Sequence, residues 1–92
     1  MDHASLEGKV AIVTGGAMGM GEATTRLFAE AGAKVLLADR NEDVGRQVAS
    51  DIKAGGGTVE FHAVDVSGSD GAKAMVEAAV STFGRLDVAV NN

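Results

Sequence analysis

The chain has 92 residues, 46% of them hydrophobic, and its 8 Lys and Arg against 13 Asp and Glu give a formal charge of −5. That length and balance describe one globular unit near the lower end of the usual domain range, with no second domain fitting beside it. With no cysteine, disulfides and thiolate metal sites are excluded; no metal is expected, and a reducing cytoplasm is the expected setting.

Residues 1–7 include Asp2 and Glu7 and no apolar leader core, and no stretch approaches the ~18 apolar residues of a membrane span, so neither export nor a membrane partner is expected. Lys and Arg are scattered and aromatics make up only 3%, which argues against nucleic acid as a partner.

In chain order, Val10, Ala11, Ile12 and Val13 form a short apolar run of the kind covered on both faces of a parallel sheet. The run Thr14-Gly15-Gly16-Ala17-Met18-Gly19-Met20-Gly21 follows, and a helical pattern begins near Glu22 with Ala23, Leu27, Phe28 and Ala31 on one stripe. A second apolar run spans 35–38. The next helical stripe is Val44, Val48 and Ile52, with Asn41 as the expected N-cap. Residues 58–64 alternate instead: Val59, Phe61 and Ala63 share one face and Glu60 and His62 the other, as in a half-exposed edge strand. Ala72, Met75, Val76, Ala79, Val80 and Phe83 make a third helical stripe, capped by Ser69, and 86–90 is the last strand. Gly32, Gly55 and Gly84 each stand where a left-handed helix stop is expected.

The order is therefore β-α-β-α-β-α-β, an α/β chain, and right-handed crossovers predict a doubly wound parallel sheet in the order 3-2-1-4. The last strand would then be an apolar edge, which natural sheets avoid. A further strand and its helices are accordingly expected beyond it in a longer parent protein.

Ligands bind at the carboxyl ends of the strands in such sheets. A strand that ends in a glycine turn and enters a helix aims unpaired N–H groups and the positive helix end at one spot, where a pyrophosphate is held by backbone. Gly15, Gly19 and Gly21 are assigned to that turn, since positive φ and close approach both exclude a Cβ. Met18 and Met20 line the same pocket. Asp39 closes the second strand about 20 residues beyond the turn, where an acid accepts hydrogen bonds from ribose hydroxyls and repels a 2′-phosphate, favouring NAD over NADP. Standing alone it would read as a turn acid before Asn41. Arg40 reads as surface, with pairing to a 2′-phosphate as its alternative role. Asp65 with Val66, and Asn91 with Asn92, end the third and fourth strands and reach the same crevice. Asp87 stands at the opposite end of the last strand and is assigned to structure; His3 and His62 read as solvated and Met75 as core. Gly16 and Gly21 have the spacing of a nucleoside-triphosphate loop, but Glu22 stands where that loop needs lysine.

Taken together, Thr14-Gly15-x-x-x-Gly19-x-Gly21, Asp39, Asp65-Val66 and Leu86-Asp87-Val88-Ala89-Val90-Asn91-Asn92 resemble the N-terminal part of a short-chain dehydrogenase/reductase, over essentially the whole chain from Leu6. The resemblance implies a Rossmann-type sheet, residues 1–92 forming the dinucleotide-binding part of a longer single-domain oxidoreductase. It also implies hydride transfer between nicotinamide and a small alcohol or ketone, and a homo-oligomer when full length. Met18, where NADP-preferring members often carry a basic residue, again favours NAD. The family's catalytic Asn, Ser, Tyr and Lys lie downstream, so no catalytic residue is assigned in this chain, which contains no tyrosine at all. Two rival readings remain open: a non-enzymatic dinucleotide-binding module, and an S-adenosylmethionine methyltransferase fragment. Thr14 tells against the latter, because that family's glycines usually follow an acid at the end of the first strand.

Overall fold

The computed structural model describes residues 6–15, 19–64 and 69–91. Its elements run β1 (Val10–Thr14), α1 (Gly19–Glu30), β2 (Lys34–Asp39), α2 (Glu42–Ala54), β3 (Thr58–Ala63), α3 (Ser69–Phe83) and β4 (Val88–Asn91). The strands form one four-stranded sheet in the order β3-β2-β1-β4. All three pairings are parallel. This is the Rossmann-type, doubly wound arrangement expected from the alternation of apolar runs and helical stripes.

The two central strands explain the apolar runs. Every residue of β1 is buried, as are Val35 to Ala38 of β2, because helices cover both faces. On one face Val13, Val35, Leu37 and Val59 meet Val48, Ala49 and Ile52 of α2, with Phe28 and Ala29 of α1 packed against them. On the other, Val10, Ile12, Leu36 and Ala38 meet Met75 and Ala79 of α3. Each fully buried Leu, Ile or Val contributes roughly 1.5–3 kcal/mol, so the sheet centre carries most of the stability.

Local signals set the helix ends. Asn41 caps α2 with its side chain accepting from the Val44 N–H at 3.2 Å. At the end of α1, Gly32 takes φ 96. Its N–H donates to the Ala29 carbonyl and the Ala33 N–H to that of Phe28, the double bond of a Schellman stop. Gly84 likewise takes φ 86.

Several expectations need correction, among them the α1 stripe, whose Leu27 is 56% exposed. The left-handed residue after α2 is Gly56, at φ 96, and not Gly55, at φ −86. The helix runs two residues past Ile52, to Ala54, so its stop falls one residue later. Second, α1 begins at Gly19 and not near Glu22, since apolar periodicity cannot register a turn whose residues include glycines. Third, Ser69 is the first residue of α3, and any capping bond from its side chain lies outside the described residues. Finally, α3 buries Met75 and Ala79 but leaves Val76 and Val80 44% and 47% exposed. It lies over β1 and β2, and its stripe is wider than the sheet surface beneath it.

At the far end of β4, Asp87 is structural, as expected. Its Oδ2 accepts from the Val10 N–H at 2.9 Å, its own N–H donates to the Val10 carbonyl at 2.9 Å, and Arg85 Nη2 lies 2.7 Å from Oδ1. The Arg85 hydrogen bond, then the Val10 N–H, and the charges of Arg85 and Lys9 hold its carboxyl below the ordinary value of 3.8, against a desolvation that pushes upward.

Candidate functional site

Parallel pairing places the carboxyl ends of all the strands along one edge of the sheet. The register sets Thr14 beside both Ala38 and Asn91, and Asp39 beside Ala63. Two further main-chain bonds extend the ladder into that edge: Gly15 N–H to the Ala38 carbonyl at 2.8 Å, and Val64 N–H to the Asp39 carbonyl at 3.1 Å. Gly15 and Asp39 are thereby brought together by backbone alone.

Two glycines of the turn have left-handed backbone. Gly15 takes φ 63 and Gly19 φ 60, both left-handed, a region closed to most side chains. Among the described residues, a Cβ built on Gly19 would meet nothing within 4 Å beyond its own chain neighbours. Gly21 differs, being buried in the first turn of α1 without a positive φ. Met20 is 80% exposed beside the turn.

Thr25, which sequence reasoning passed over, is fully buried, and its hydroxyl donates to the Gly21 carbonyl at 2.9 Å. A threonine bonding back one turn in a helix has no signature in spacing. Glu22 in the same turn suits the positive helix end and accepts from Arg26 at 2.8 Å; Arg26 also approaches Asp51 of α2 at 3.6 Å.

Asp39 is half-buried at the end of β2, and its Oδ1 accepts the Asn41 N–H at 2.9 Å. The turn-acid reading is therefore correct as geometry. Arg40 is exposed. At the end of β4, Thr14 Oγ1 donates to Asn91 Oδ1 at 2.8 Å and is shared with the Val90 carbonyl at 3.3 Å. Met18, Asp65, Val66 and Asn92 lie outside the described residues. His62 is exposed on β3. No group of three or more His, Cys, Asp or Glu suited to a metal occurs among the described residues, and no helix there is long and apolar enough to cross a membrane.

A groove of about 460 Å³ between the ends of α1 and α2 is lined by Arg26, Glu30, Asp51 and Gly55 to Gly57. It opens where the chain enters β2 and β3, at the opposite edge of the sheet.

Comparison with known proteins agrees with this geometry. The family model for short chain dehydrogenases matches residues 9–92. A short chain dehydrogenase/reductase of Aspergillus oryzae, astE, is 48% identical over 89 residues, covering 96% of this chain and 34% of that protein. The crystal structure of a hydroxysteroid dehydrogenase from Escherichia coli superposes with a TM-score of 0.93 at 35% identity, covering 99% of this chain and 38% of that one. A short chain dehydrogenase/reductase from Burkholderia phymatum, solved in complex with NAD, superposes with a TM-score of 0.88 at 32% identity, covering 91% and 30%. The chain thus spans about a third of the length of the relatives it matches. With the family model matched over residues 9–92, the chain belongs to the short chain dehydrogenase family.

Proposed function

We propose that residues 1–92 form the cofactor-binding part of a longer NAD-dependent oxidoreductase, whose whole protein moves a hydride between nicotinamide and a small alcohol or ketone. The observation that carries this reading is the left-handed backbone at Gly15 and Gly19, with the Gly15 N–H bonded to the strand that ends in Asp39. The space at Gly19 that a Cβ would fill fits a pyrophosphate held by backbone N–H groups.

On this reading Gly15, Met18, Gly19, Met20 and Gly21 cradle the pyrophosphate. Asp39 accepts hydrogen bonds from the adenosine ribose and repels a 2′-phosphate, Arg40 flanks it, Asp65 and Val66 meet the adenine, and Asn91 and Asn92 form the far wall. The bound dinucleotide supplies the hydride acceptor or donor. This chain's residues bind and orient it; with no tyrosine, they include no phenol to move the substrate proton.

The test is calorimetric titration of NAD and NADP into the chain and its Asp39→Ala variant. NAD is expected to bind more tightly than NADP, and the variant to narrow that ratio roughly tenfold, the value of one charge-assisted hydrogen bond. An unchanged ratio overturns the role of Asp39. Hydride transfer to NAD by the verified 92-residue chain, read as NADH absorbance with simple alcohols, would overturn the assignment of catalysis to a missing segment.

A further inference from the structure

The geometry points to Asn41 as a positioning residue that sets cofactor selectivity through Asp39, an inference that rests on the ribose-binding reading above. Asn41 makes three bonds in three directions. Its main-chain N–H donates to Asp39 Oδ1 at 2.9 Å, its side-chain Oδ1 accepts from the Val44 N–H at 3.2 Å, and its carbonyl accepts from the Gly45 N–H at 2.9 Å. The first bond aims the carboxylate; the other two anchor the aiming residue to the first turn of α2.

That first turn is itself held from behind. The α-carbon of Gly45 lies so close to the ring of Phe61 on β3 that a Cβ there would overlap it. Arg46 covers the same ring, its guanidinium carbon 5.7 Å from the centroid, and pairs with Glu42 at 2.9 Å. A line of contact therefore runs from β3 through Gly45 and Asn41 to the Asp39 carboxylate. Asn41 takes φ −82 and ψ 93, the extended conformation of a cap, which leads the chain from the peptide whose N–H meets Asp39 into the first turn of α2. Loss of the cap loosens the anchor of Asn41 and weakens the bond that orients the carboxylate toward a ribose diol. A less oriented carboxylate loses hydrogen bonds to NAD, whereas NADP, whose 2′-phosphate Asp39 repels, does not weaken in parallel.

The experiment measures NAD and NADP affinity for the chain and for Asn41→Ala, Asn41→Ser and Asp39→Ala, with circular dichroism to verify folding. Asn41→Ala is expected to weaken NAD about 5-fold and NADP less than twofold, from the loss of an oriented hydrogen bond. Asn41→Ser, which restores a neutral capping oxygen, should return the ratio to the unsubstituted value and also serves if Asn41→Ala fails to fold. Equal weakening of both cofactors by Asn41→Ala, or no recovery of the ratio in Asn41→Ser, means that Asn41 only stabilises α2 and overturns the inference. If NAD does not bind, or Asp39→Ala leaves the NAD:NADP ratio unchanged, the ribose-binding reading itself fails. If Asp39→Ala changes the ratio and Asn41→Ala does not, only the positioning role falls.

Discussion

The hydroxyl of Thr14 donates to Asn91 Oδ1 across 2.8 Å, joining the last residue of β1 to the last residue of β4. The bond forms because the register sets these two positions side by side on parallel strands. Thr14→Val removes the hydroxyl while keeping shape and β-propensity, and leaves the amide oxygen short of a donor. We expect a loss of about 1 kcal/mol, read as a lower urea midpoint with unchanged slope, and near-complete recovery in Thr14→Ser.

Asp87 fastens the opposite end of the same strand pair, and its contribution is pH-dependent. Its folded-state pKa is lowered below 3.8, chiefly by the Arg85 hydrogen bond and then by the Val10 N–H. Between the folded and unfolded values the unfolded chain binds more protons, so stability rises with pH there. The contribution is fully present above the unfolded pKa and is lost as pH falls through the folded one. Urea titrations from pH 7 to pH 2 should show the unsubstituted chain more stable than Asp87→Asn at neutral pH, with the gap closing only below about pH 4. A gap that stayed constant to pH 2 would remove the carboxylate from this account.

Gly45 has no room for a side chain. Its substitution by alanine drives a methyl group into the Phe61 ring, and overpacking of this kind typically costs about 1–3 kcal/mol. The double variant Gly45→Ala, Phe61→Leu should be less destabilised than the sum of the two singles. Additivity in that thermodynamic cycle would show that the two residues do not meet.

Gly19 gives the opposite case. No atom stands within 4 Å of its missing Cβ, yet its φ is +60. Gly19→Ala should therefore lose only the strain of a left-handed residue, about 1–2 kcal/mol. Its NAD affinity, normalised to the folded fraction, should fall at least tenfold, because the methyl group enters the space assigned to the pyrophosphate. Unchanged affinity in the folded variant would place the dinucleotide elsewhere.

Much of the fold was legible because it rests on one-dimensional signals. The apolar runs at Val10 to Val13 and Val35 to Ala38 are the two strands buried on both sides, and Asn41 marked its own helix start. Features defined by contact between elements were not legible. Nothing in the spacing of Gly45 and Phe61 says that they touch, and Thr25 reads as an ordinary helical threonine until its burial and its bond to Gly21 are known. The Gly55-Gly56-Gly57 run shows the same limit: composition announces a stop, but which glycine turns left depends on where Ile52 and Lys53 present their carbonyls. For the candidate site, the left-handed backbone of Gly15 and Gly19 was legible from the glycines themselves, and the place of Asp39 at the end of β2 from the apolar run before it. The bond that aims Asp39 belongs to the backbone of Asn41, and backbone bonds leave no letter in a sequence.

The carboxyl edge of the sheet is extended by amides: Gly15 to Ala38, and Val64 to Asp39. Those two rungs need no side chain at 39 or 40, so a substitution there would spare the ladder and be felt first in the turn into α2, where the Asp39 carboxylate holds the Asn41 N–H.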